Sequence, residues 1–139
     1  MMHRKKKPLT YIEPMPKKQL RRIIRQFEAD GGIVLMGEEI DKYLKSKGVE
    51  ASTLNKDIVM FNSNPGRAAV HEEMIHVEQF RKGLNDGSFE SILKNEIAAQ
   101  EELLARADEF ELTYVEIVQT KKALKMYEKE MRKYKKGGK

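Results

Sequence analysis

The sequence predicts an α+β domain of about five helices with a small sheet of two or three short strands. Three observations carry that expectation. Apolar residues recur at helical spacing through most of the chain, two short β-branched runs sit between turn signals, and 139 residues at 40% hydrophobic and 35% charged suit a single soluble core.

Residues 1–15 read as an irregular basic arm, because Pro8 and Pro14 deny it a regular ladder. Pro16 suits a first helical turn, and Leu20, Ile23, Ile24 and Phe27 follow at i, i+3, i+4 and i+7. Residues 16–30 therefore form an amphipathic helix with a basic outer face, stopped by Gly31 and Gly32. Residues 33–36 are a strand, and residues 38–47, with Ile40, Tyr43 and Leu44, a helix ended by Gly48. Residues 57–61 form the second strand, expected at the edge of the sheet, and Asn62-Ser63-Asn64-Pro65-Gly66 turns the chain into a helix over 68–82. Asn85-Asp86-Gly87 is another turn, after which Ser88 caps a helix over 89–106. The short connection favours antiparallel packing of these two helices. Thr113 and Glu116 make a capping box opening a last helix, whose apolar face runs through Ile117, Thr120, Leu124, Tyr127, Met131 and Tyr134. Residues 16–134 thus form one domain, and 135–139 a fraying basic tail.

Composition narrows the chemistry. Without cysteine there are no disulfides, thiolate metal sites or cysteine nucleophiles, so a metal would be held by His and carboxylates. The sequence has neither an apolar run approaching a membrane span nor a signal-peptide core behind Met1, which points to a cytoplasmic protein or one delivered by other means. The net charge of +5 gathers at the ends, from Arg4 to Lys7 and again from Lys121 to Lys139. Solvated tails are the favoured reading; a nucleic-acid partner is disfavoured, since no aromatic RNA-binding signature or zinc finger accompanies the charge.

Residues 69–80 concentrate the reactive groups, holding His71 and His76 with Glu72 and Glu73 among apolar residues. At about 100° per residue, Val70, Met74 and Val77 share one side of a helix, while Glu72 and His76 lie about 40° apart on another, with Glu73 beside them. This is the layout of an H-E-x-x-H zinc helix, except that Glu72 occupies the first ligand position. On the next helix Glu96 falls amid Phe89, Ile92, Leu93 and Leu103, and is expected to be buried and to need a partner. Glu73 and His76 also resemble half of a di-iron site. His3, in the arm, cannot supply the second half.

From about Gly32 to Tyr134 the chain resembles the zincin-like metallopeptidase domains at the ends of bacterial polymorphic toxins. The resemblance rests on residues 57–66, on the helix carrying His71, Glu72, Glu73 and His76, and on Asn95-Glu96, which follows His76 by 20 residues. It implies a zincin-like fold, His76 and Glu96 as ligands of zinc or another divalent ion, Glu73 as general base, a protein or peptide substrate, and restraint by an immunity protein.

Three readings of the altered motif stay open. Glu72, His76 and Glu96 together offer three N/O ligands. A π-bulge would instead bring His71 beside His76 and leave Glu72 as the base. In a decayed site, His76 and Glu96 would merely pair. Tyr114, Tyr127 and Arg81 are candidates for stabilising an oxyanion. The competing functional class is an inactive zincin-like binding module for a protein or nucleic acid.

Overall fold

In the computed structural model, which describes residues 11–137, the chain runs α1 (Lys17–Ala29), β1 (Ile33–Leu35), α2 (Glu38–Lys47), β2 (Ala51–Asn55), β3 (Ile58–Phe61), α3 (Arg67–Arg81), α4 (Phe89–Ala105) and α5 (Tyr114–Gly137). This is the expected α+β architecture: among the described residues, five helices and a three-stranded mixed sheet. The first ten residues of the predicted arm, His3 among them, and the last two of the predicted tail lie outside the described residues.

The strand order is β1-β3-β2, with β1 parallel to β3 (Val34 opposite Val59) and β2 antiparallel to it (Ala51 opposite Phe61). The run expected at the edge is therefore the central strand. Val59, Met60 and Phe61 are all buried, and an inner strand is where consecutive apolar residues can be covered on both faces. The edge beside α3 is β2, whose residues Ser52, Thr53 and Asn55 give no apolar alternation to read. It is defined by its partner. Asn55 Oδ1 accepts from the Asp57 amide at 2.8 Å, turning the chain tightly into β3.

The main core lies between the sheet, α1 and α3. Leu20 and Phe27 of α1 meet Val59 and Phe61 of β3 and Val70 and Val77 of α3, as the helical phases require. Each such fully buried side chain contributes about 1.5–3 kcal/mol. Met15, assigned from sequence to the arm, is only 2% exposed and its amide bonds to the Pro65 carbonyl at 2.8 Å, so the end of the arm belongs to the domain. A second cluster of Ile75, Ala99, Leu103, Phe110 and Leu112 fastens α4 and the approach to α5 onto α3. Phe89 and Ile92, expected on the buried face around Glu96, are exposed, as is Tyr43. Phe89 instead packs edge-on against Tyr134, 5.4 Å between ring centres, near the far end of α5.

Glu116 ties two helix starts together. Its Oε1 accepts from the Thr113 amide and hydroxyl, completing the capping box, while its Oε2 accepts from the Ala68 amide in the first turn of α3 at 2.6 Å. Gly66 sits where these parts converge, and a Cβ there would collide with Ile12 and crowd Glu116. The helix α5 continues to Gly137, so residues 135–137 are helical rather than frayed; Lys135 and Lys136 complement the negative end of its dipole. No helix among the described residues is long and apolar enough to cross a membrane.

Candidate metal centre

α3 is a regular α-helix from Arg67 to Arg81, without the π-bulge of the second sequence reading. His71 therefore stays away from His76. Its ring stacks on Phe110, with centroids 3.8 Å apart and 10° between planes, and it lines a different cleft. The sequence alternative that made it a ligand is not realised, because no extra residue per turn rotates it onto the His76 face.

Glu72, His76 and Glu96 do converge. His76 Nε2 is 3.0 Å from Glu96 Oε1 and 3.6 Å from Glu72 Oε2. One ligand atom from each lies within 4.8 Å of the others, and no other such group exists among the described residues. Glu73 of α3, Thr53 of β2 and Tyr127 of α5 complete the walls of a cleft of about 290 Å³. Of the oxyanion candidates, only Tyr127 is in this cleft. Tyr114 is exposed and Arg81 pairs with Glu78.

Hydrogen bonding fixes the chemistry of the His76 ring. Gln79 Nε2 donates to the Asn95 carbonyl at 2.9 Å, and since that carbonyl can only accept, Gln79 Oε1 is the atom facing His76 Nδ1, 2.7 Å away. Nδ1 must therefore carry the proton. Nε2 faces two carboxylates, and a bare lone pair there would be repelled by both; the geometry calls for a cation at Nε2, either a proton or a metal ion. Asn95 itself is anchored by donating its side-chain amide to the Leu84 carbonyl at 3.1 Å, which ties α4 to the connection that follows α3.

Burial would lower the His76 pKa, but the facing Glu72 and Glu96 carboxylates outweigh it and hold the ring well above the ordinary imidazole value. Burial likewise opposes ionisation of Glu96, yet the His76 pairing prevails and its pKa is lowered, helped by the Tyr127 hydroxyl. Tyr127 is pushed up by burial and by the Glu96 charge. Glu73, 7% exposed, is raised to about 7 by burial and then by the neighbouring Glu72 charge, while the Thr53 hydroxyl, donating to Oε1 at 2.8 Å, partly offsets this.

Glu96 is less enclosed than expected, with 22% of its side chain exposed. The predicted phase places Leu93 and Leu103 in the core, but the first turn of α4 borders the open cleft, so Phe89 and Ile92 do not cover the carboxylate. Gln79, Thr53 and the Asn95 carbonyl were not anticipated. Only Gln79 had a readable signal, lying three residues after His76 on the same helix face. Compared with known protein families, with curated proteins and with solved structures, the chain finds no match.

Proposed function

We propose that the cleft binds a divalent metal ion on Glu72, His76 and Glu96, and that the protein is a metal-dependent, peptidase-like hydrolase. The observation that carries this reading is the forced Nδ1 tautomer of His76. A ring whose outer nitrogen is held by an amide while its inner nitrogen meets two carboxylates is arranged as metal-ligating histidines are. The donor set, one imidazole and two carboxylates, suits zinc or a harder divalent ion.

A bound ion would supply Lewis acidity toward a carbonyl group and acidify water. The chain supplies the rest. Glu73 is positioned to receive a proton and return it to a leaving amine, with Thr53 steadying its Oε1. Tyr127 is the donor available for a developing oxyanion. β2, an edge strand forming one wall of the cleft, can pair with an extended peptide through its free backbone groups.

A second reading is favoured by one specific feature. Glu72 stands where the peptidases that the chain resembles carry His, and the 3.0 Å contact between His76 and Glu96 satisfies both groups without a metal. Such a site would belong to an inactive binding module. Zinc titration separates the two. Wild type should bind one equivalent, Glu96→Ala none, and Glu73→Gln should bind normally while cleaving a peptide library at least about 100-fold more slowly. Absence of zinc, manganese and cobalt binding by wild type would discard the metal; binding without cleavage would favour the module.

A further inference from the structure

A second cavity, of about 270 Å³, shares Val49, Ala51, Glu72 and Glu73 with the metal cleft and continues from it between α3 and α5. Its lining has two characters. Ala68, Ala69 and Ala123 form small apolar walls, whereas Glu50 and Glu116 add carboxylates to those of Glu72 and Glu73, and among the described residues no basic side chain lines it.

Gln100 of α4 supplies an independent observation. It is 3% exposed, opens onto this cavity, and among the described residues no protein group hydrogen-bonds its amide. Unlike Arg67 Nε and His71 Nε2, its amide atoms are not sealed from solvent, so the amide takes its partner from within the cavity. Water would satisfy the amide but would bring no counter-charge to Glu50, whereas Glu72 faces His76 and Glu73 is bonded by Thr53. A monatomic ion fits poorly, because the three-ligand group among the described residues lies at Glu72, His76 and Glu96 instead. Glu116 has both oxygens engaged by amide and hydroxyl donors, whereas Glu50 receives a long 3.4 Å bond from the Gly66 amide, is helped by the nearby Asn62 side chain, and remains able to accept more.

We infer that this cavity takes the side chain of a lysine or arginine from an extended peptide lying along β2, with the aliphatic stem against the alanines and the cationic head at Glu50 and the Gln100 amide oxygen. The chemistry matches such a side chain, which carries an apolar stem and a charged tip. Ala51 links the strand to the pocket. It belongs to β2 and lines both cavities, so a peptide paired with this edge can direct one side chain into the pocket while its backbone passes the metal ligands. The inference rests on the peptidase-like reading and names its substrate class.

The test uses the full chain labelled with nitrogen-15, zinc-free and zinc-loaded, titrated with N-acetyl-arginine amide and N-acetyl-lysine amide and with the neutral citrulline and norleucine amides. The cationic compounds should shift the backbone signals of Ala68, Ala69 and Thr120 and the Gln100 side-chain amide, and the neutral ones should not. Glu50→Gln and Gln100→Leu should each weaken binding at least about tenfold while leaving zinc affinity within about twofold, since neither is a metal ligand. Equal shifts from neutral and cationic amides, or cation shifts confined to the His76 and Glu96 signals, would overturn the pocket. Loss of zinc binding with cation binding intact would overturn the metal and keep the pocket; the reverse would keep the metal and overturn the pocket.

Discussion

His71 and His76 lie five residues apart on α3 and meet opposite surroundings. His71 stacks on Phe110, has Arg106 nearby, and among the described residues finds no partner for its buried Nε2. His76 has both ring nitrogens engaged, by Gln79 on one side and by Glu96 and Glu72 on the other. The helical rotation between them decides the difference, since five residues advance the helix by about 140° beyond a full turn. A histidine in a promising sequence context is thus a structural ring or a candidate ligand according to the face on which it falls.

The largest expected effect contrasts the two rings directly. His76→Ala should reduce zinc affinity by at least about 1,000-fold, roughly 4 kcal/mol, whereas His71→Ala should leave it within about twofold. Competition titration against a fluorescent chelator measures both. Comparable losses in the two variants would mean that His71 reaches the metal and that the rings are not distinct in role.

The next effect concerns what holds both faces in place. Glu116 caps the first turn of α3 and opens α5, so Glu116→Ala should destabilise the chain by about 2–4 kcal/mol, combining lost caps with stranded buried donors. Urea unfolding would measure this. A loss below about 0.5 kcal/mol would show that α3 starts well without the carboxylate, placing its positioning elsewhere.

This residue also marks the limit of what the sequence discloses. The capping box at Thr113 and Glu116 is legible as a local pattern, as are the Leu20-to-Phe27 stripe and the proximity of Glu72 to His76. The second bond of Glu116, to Ala68, joins segments 48 residues apart and has no local signature. β2 is hidden for the same reason, because Ser52, Thr53 and Asn55 become a strand through pairing with β3. The partial exposure of Glu96 depends on the open cleft beside α4, which the phase of one helix cannot supply.

A smaller effect tests the support behind His76. Gln79→Leu removes the acceptor fixing the Nδ1 proton and leaves the Asn95 carbonyl without its donor. Zinc affinity should fall about 10–100-fold, as for other groups that orient metal-binding histidines. Unchanged zinc affinity would remove the tautomer argument for the metal.

The smallest effect is the pH dependence of stability, where the two rings should act with opposite sign in the metal-free chain. Burial, then the Arg106 charge, lowers His71 to about 4, so between pH 6.5 and 4 the unfolded chain takes up a proton that the folded chain refuses. Stability associated with a neutral His71 is present above 6.5 and is lost as pH falls, by at most about 1.4 kcal/mol per pH unit and by less where solvent screens the partly exposed ring. For His76 the folded pKa is raised, so its contribution is full below 6.5 and is lost as pH rises through the raised value. Urea unfolding between pH 4.5 and 9 should therefore show His71→Phe becoming relatively more stable toward acid, because phenylalanine preserves an aromatic stack on Phe110 without titrating. His76→Gln should be most destabilising at or below pH 6.5 and progressively less so toward pH 9. Parallel profiles for wild type and His71→Phe would mean that His71 reaches solvent well enough to accept its proton when folded, and the contrast between the two rings would then reduce to their hydrogen-bond partners alone.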